Sequence, residues 1–136
     1  MRLEGWEGRL AQLCAGAQAM PFQRGLHDCC TFARQVEVAL TGVTLFGDSG
    51  RWRTPAGAVR ALRRMGYATI RDMLDARLLA CAPAMARRGD LIMADAPGAD
   101  DMGALAVVIG AQAVLPGPAG LLRVPVLSAT AGWRIG

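Results

Sequence analysis

Residues 21–40 read PFQRGLHDCCTFARQVEVAL, and this stretch decides how the chain folds. Asp28 is placed to cap a helix, because a carboxylate there accepts from the exposed amides two and three positions on. Phe32, Ala33, Val36, Ala39 and Leu40 recur at helical spacing and form a core-facing stripe. Gly42 follows the last apolar residue, where a left-handed closing residue is wanted. Cys29 and Cys30 therefore fall in the first turn, where unpaired amides and the helix dipole favour a thiolate over a thiol. Two readings stand side by side. A cysteine at the head of a buried helix is a common setting for a thiol nucleophile. Free cysteine is also among the most buried residue types, and the local sequence alone favours two small core residues.

Upstream, residues 3–20 carry Trp6, Leu10, Leu13, Cys14 and Ala17 on one stripe, which predicts a first helix ended by Pro21. Downstream, residues 42–53 form a polar, glycine-rich loop that presents Phe46 and Trp52. Thr54-Pro55 is a helix start with a hydroxyl cap and proline at the first position; this helix runs to about Met65, with Val59, Leu62 and Met65 inward. Residues 69–79 make a shorter fourth helix through Ile70, Met73, Leu74 and Leu78, followed by a connection over residues 82–88. After Arg88 the character changes. LIMA and ALAVVIG are β-prone runs joined by a turn-rich segment, residues 112–115 and 121–124 flank the turn PGPAG, and Gly132-Trp133-Arg134-Ile135 reads as a last strand. Helices first and strands after imply a single α+β domain over 1–136, its N-terminal helices packed on a C-terminal antiparallel sheet.

Composition narrows the function classes. The net charge of +4 comes from arginine alone, with no lysine in 136 residues. Arg51, Arg53, Arg60, Arg63 and Arg64 fall close together, but no nucleic-acid motif accompanies them, and a solvated helix face accounts for the group. The longest uncharged run is interrupted by glycine and proline, so no membrane span is expected, and the N-terminus lacks the apolar block of a signal peptide. Cys14, Cys29, Cys30 and Cys81 lack the paired spacing of a zinc site and make no disulfide framework, so neither a metal nor another cofactor is expected.

The order of these pieces resembles the NlpC-type branch of the papain-like cysteine peptidases, which cut peptidoglycan stem peptides. The matching pieces are the turn Phe22 to Gly25, Asp28-Cys29, Arg88-Gly89-Asp90-Leu91, and the strand Gly103 to Gly110. The resemblance is closer still to small proteins encoded in tail-gene clusters of phages, prophages and gene-transfer agents. In those, a PF-x-x-G-x-x-DC start, a TG after the helix and an R-x-LRR-x-G helix recur in this order. The similarity spans about Trp6 to Trp133 and implies a papain-like fold.

Carried onto this chain, the resemblance makes Cys29 the nucleophile position and puts Cys30 where active enzymes usually have serine. Ala104 stands at the expected histidine position. The chain's one histidine is His27, two residues before Cys29, as a possible substitute base. Arg24 stands where the family turn often carries tryptophan. A missing base leaves no proton donor for the leaving amine. The resemblance thus implies a catalytically impaired structural or adaptor protein of a phage-like tail tip, located in the virion or, before assembly, in the bacterial cytoplasm. Other tail-tip or hub proteins would be its partners, with Trp52, Phe46 and Trp133 as contact anchors. The alternative is an active cysteine peptidase or amidase that takes peptidoglycan as substrate during genome entry.

Overall fold

A computed structural model describes residues 1–44, 54–94 and 103–136. The first helix, α1 (Trp6–Ala17), is shorter than the apolar stripe suggested, because Gly5 enters it in a left-handed conformation (φ 76°) that residues 3–5 cannot continue as helix. Leu10 and Ala17 are its buried residues, and Trp6, Leu13 and Cys14 pack beside them.

The central helix is α2 (Cys29–Thr41), and its two ends are fixed as its sequence requires. Asp28 caps the start, and Gly42 closes it at φ 81° with its N–H donating to the Val38 carbonyl. Phe32, Ala33, Val36 and Leu40 are buried almost completely. Side chains of the size of Phe, Val and Leu each contribute about 1.5–3 kcal/mol when so buried, which explains why this helix organises its neighbours. Helix α3 (Pro55–Arg64) starts at Thr54, whose hydroxyl accepts from the Gly57 N–H at 3.0 Å. Ala58 and Leu62 form its buried pair, with Val59 and Met65 only half-buried. Helix α4 (Ile70–Arg77) is capped by the Thr69 hydroxyl and buries Ile70, Met73 and Leu74.

Six strands then make one antiparallel sheet: β1 (Leu79–Cys81), β2 (Leu91–Ala94), β3 (Ala104–Val108), β4 (Gln112–Gly117), β5 (Gly120–Pro125) and β6 (Ala131–Arg134), in the order β1-β6-β2-β3-β4-β5. The chain is therefore α+β, with its helices against the sheet. The first strand departs from the sequence expectation, which took residue 79 into α4 and residues after it into a connection. Leu78 leaves helical geometry, and Leu79, Ala80 and Cys81 pair with Arg134, Trp133 and Gly132. The last strand thus lies between the first two, and β2 pairs it on its other side through Leu91↔Trp133.

Alternation sorts the sheet into two apolar faces. Leu91, Met93, Leu105, Val107, Val114 and Trp133 join the helices in the main core. Ile92, Ala94, Ala104, Ala106, Val108, Ala113, Leu115 and Val124 form a second cluster on the far face. Two short 3-10 turns, Pro83–Met85 and Val126–Ser128, meet each other there.

Two contacts tie the layers together. At the hairpin, Gly120 approaches the end of α1 so closely that a Cβ would collide with the Gln18 carbonyl, and the Leu121 N–H donates to that oxygen at 3.2 Å. At the opposite end, Asp90 is 1% exposed and gathers three donors. Its Oδ1 accepts from Arg2 Nη2 at 2.8 Å and from the Ile135 N–H at 3.0 Å, and its Oδ2 accepts from the Arg87 N–H at 2.8 Å. Arg2 also donates to the Ile135 and Arg88 carbonyls and lies over the Trp6 ring at 4.2 Å. Burial pushes the Arg2 guanidinium pKa down and the Asp90 carboxylate pulls it back up. The turn into the sheet, the N-terminus and the last strand therefore share one carboxylate.

Candidate functional site

The candidate site is built where the loop over residues 21–27 delivers the chain into α2. The Phe22 N–H donates to the Gly117 carbonyl at 2.8 Å, which fixes the loop's entry beside the hairpin. Gln23 and His27 then pair across a one-step bridge: Gln23 N–H to His27 O at 2.8 Å, and His27 N–H to Gln23 O at 2.6 Å. Gly25 turns the corner at φ 82°, a left-handed conformation that side chains resist.

Asp28 locks this loop to the helix. Its Oδ1 accepts from the Thr31 N–H at 2.8 Å, and its Oδ2 reaches back to the Gly25 N–H at 2.7 Å. The Thr31 hydroxyl accepts in turn from the Asp28 N–H at 2.8 Å, which completes a capping box with threonine in the place usually held by Glu or Gln. Thr31 was missed as a site residue, although Asp-x-x-Thr ahead of an apolar stripe carries the signal.

The two adjacent cysteines have different fates. Cys30 is 3% exposed and belongs to the core, as the apolar reading expects. Cys29 is half-buried in the first turn of α2, packed beside that core. His27, two residues before it, is 5% exposed and makes a T-shaped ring contact with Phe32, with centroids 6.0 Å apart. Its Nε2 is buried and has no hydrogen-bond partner. Burial pushes the imidazole pKa down, and the neighbouring Asp28 carboxylate pulls it partly back. The net effect favours the neutral ring over the imidazolium.

Ala104 opens β3 opposite Ala94 and belongs to the far-face cluster, while Leu105 and Val107 are the β3 residues that meet the helices. On the helix side of the strand's entry stands Gly103, where a Cβ would run into the Met93 thioether. Every residue of β3 is apolar and buried.

A family model described as a domain of unknown function (DUF6950) matches residues 1–135. The chain belongs to the DUF6950 family. No curated protein matches it.

Elsewhere in this DUF6950 domain the expected site residues are dispersed. Trp133 was an expected contact anchor, and the structure corrects this. It is 0% exposed because β6 lies inside the sheet, and its indole N–H donates to Asp75 Oδ1 at 2.8 Å. Phe46 and Trp52 lie outside the described residues, as do Arg51 and Arg53. Arg60, Arg63 and Arg64 are exposed on α3, as a solvated face requires.

The remaining thiols, Cys14 on α1 and Cys81 on β1, are half-buried. Burial raises the Cys14 pKa against the opposing pull of Arg123 and Arg88. Burial and then Asp90 raise that of Cys81. None of the four cysteines is in a disulfide. Among the described residues no three His, Cys, Asp or Glu side chains come together to hold a metal, and no helix is long and apolar enough to cross a membrane.

Proposed function

We infer that this domain is a non-catalytic, partner-binding component of a phage-like tail tip, built on a papain-like, NlpC-type fold that has lost its base. The observation that carries the reading is β3: Ala104 to Val108 offer no titratable side chain on either face. A thiol at a helix start needs an imidazole within hydrogen-bond reach, steered by a third group, before it can cleave an amide. The one imidazole in the chain is His27, buried in a T-shaped contact with Phe32, its pKa pushed down by burial. The resemblance of the PF-x-x-G-x-x-DC start and the R-x-LRR-x-G helix to tail-cluster proteins supplies the setting. Other tail-tip or hub proteins are the partners, and the virion is the location after assembly in the cytoplasm. Phe46 and Trp52 stay as candidate anchors. Purified protein is expected to leave peptidoglycan intact, and particles carrying Cys29→Ala are expected to assemble and infect normally. Infection unchanged in particles that lack the protein altogether would overturn the structural role.

One observation favours a second reading, an active peptidase or amidase. Cys29 is half-buried at the head of a capped helix, and the nearby His27 Nε2 has no partner. Clearing of purified sacculi that disappears in both Cys29→Ala and His27→Gln would establish it.

A further inference from the structure

We propose that the Gln23–His27 loop is an acid-released latch on the first turn of α2, with His27 as its trigger. The proposal holds whether or not Cys29 reacts, so it goes beyond the functional reading above. It starts from a polar atom that the fold leaves in an awkward place. His27 is the chain's single histidine, it is 5% exposed, and its Nε2 is sealed without a partner. A neutral imidazole tolerates this, because an unprotonated nitrogen forfeits one acceptor bond. An imidazolium does not, because a second N–H and a full charge would then be buried unpaired.

The surroundings offer little relief. From α2, Phe32 meets the ring in a T-shaped contact, with 75° between the planes, and the ring's Nε2 has no hydrogen-bond partner. Among the described residues Asp28 is the charged group that acts on the imidazole. Its carboxylate is already engaged by Gly25 and Thr31. Protonation is therefore accommodated by moving the ring out. Local hydrogen bonds close the loop around the ring: two between the Gln23 and His27 backbones, one from the Leu26 N–H to the Gln23 carbonyl at 3.1 Å, and one from the Gly25 N–H to Asp28. Breaking these leaves the Thr31 half of the cap in place, so α2 stays folded while residues 23–27 swing free. Phe22 and Leu26, exposed on the same loop, and the half-buried Cys29 then face a changed surface.

Linkage sets the sign and size. The open loop binds the proton with an ordinary imidazole pKa of about 6.5, and the closed loop binds it more weakly. The open fraction is at its minimum above pH ~6.5 and rises as pH falls, by up to about tenfold per pH unit until the closed-state pKa is passed.

With one histidine, the test is clean. The ring proton signals of the folded protein are followed by NMR between pH 8 and 4.5 (about the span that brackets an imidazole), together with amide exchange normalised to intrinsic rates. The ring is expected to titrate below 6.5. Protection of the Gln23, Gly25 and His27 amides is expected to fall between pH 7 and 5, by a factor set by how far the measured ring pKa lies below about 6.5. The Val108 amide, bonded to the Asp90 carbonyl at 2.9 Å, is expected to keep its protection. His27→Gln is expected to flatten the loop's pH response. A ring pKa at or above 6.5 in the wild-type chain overturns the proposal without recourse to the variant. So does loss of Val108 protection in step with the loop, which would mean global unfolding, or an unaltered pH response in His27→Gln.

Discussion

Removing the Asp90 carboxylate tests the account of how the layers are joined. In Asp90→Ala, Arg2 loses its counter-ion while its side chain remains only 13% exposed, and the Arg87 and Ile135 amides lose their acceptor. Breaking a buried pair from one side costs about 3–5 kcal/mol, and each orphaned buried amide on its own about 1–3 kcal/mol. These costs overlap, because Arg2 keeps its bonds to the Ile135 and Arg88 carbonyls and can turn partly towards solvent. The lower figure of about 3–5 kcal/mol is therefore the expected loss. For a chain of this length it lowers Tm by roughly 10–20 °C. Arg2→Met alone should cost less, since it leaves Asp90 with two backbone donors. Combining Arg2→Met with Asp90→Ala should be milder than the sum of the two, with a coupling of about 1–3 kcal/mol. Urea denaturation of the four proteins measures all these terms. An Asp90→Ala chain within about 1 kcal/mol of wild type, or strict additivity of the pair, would refute the idea that one carboxylate holds three chain segments.

Asp28→Ala removes the acceptor of both Thr31 and Gly25 and should cost about 1–3 kcal/mol by urea denaturation, with exchange of the Gly25 amide accelerated first. Gly120→Ala puts a methyl group against the Gln18 carbonyl at a positive φ of 132°; a loss of about 1–3 kcal/mol is expected, and a neutral result would mean that the hairpin is not seated on α1. Trp133→Phe gives up the bond to Asp75 and also part of a fully buried indole, so more than the ~0.5–1.5 kcal/mol of the hydrogen bond should be lost, and Asp75→Ala should remove only the hydrogen-bond part of the difference between the two chains. Ala104→His places an imidazole in the far-face cluster of alanines and valines; a loss of stability and no gain of amide hydrolysis are expected, read by thermal melting and by release of free amines from peptidoglycan.

Much of the helical layer could be read from the chain because its signals are local. Asp28, the stripe from Phe32 to Leu40 and Gly42 lie within one helix length of each other, and each end of α2 is where they put it. Thr54-Pro55 and Thr69 carried the same kind of information for α3 and α4. The strand β1 was not legible for the opposite reason. Leu78 and Leu79 continue the apolar spacing of α4, and what makes residues 79–81 a strand is their pairing with residues 132–134. Trp133 failed in the same way: an aromatic near the end of a glycine-flanked run looks like a contact residue until its strand proves to be an interior one. The Arg2–Asp90 pair joins residues 88 positions apart, beyond the reach of any periodicity.

The candidate site divides along the same line. On the helix side, Cys29, Asp28 and His27 were found because they are contiguous in sequence, although Thr31, three residues on from Asp28, was not. The strand side depends on phase. A half-exposed strand reveals its inward face by alternating polar and apolar residues, but ALAVV is apolar throughout and gives no such signal. Matching residue by residue therefore identified Ala104 as the position of interest without revealing which face it occupies, and a shift of one residue exchanges the faces. The pairing of Ala104 with Ala94, and of Leu105 with Met93, resolves the phase: position 104 belongs with the far cluster and 105 with the helices. Placing a base on β3 within reach of α2 would then require more than one substitution. An imidazole at 104 faces away from α2, and at 103 the Met93 side chain occupies the space a larger residue needs. The helix side of this part of the sheet is filled by Met93, Leu105 and Val107, so packing occupies the space that a base facing α2 would need.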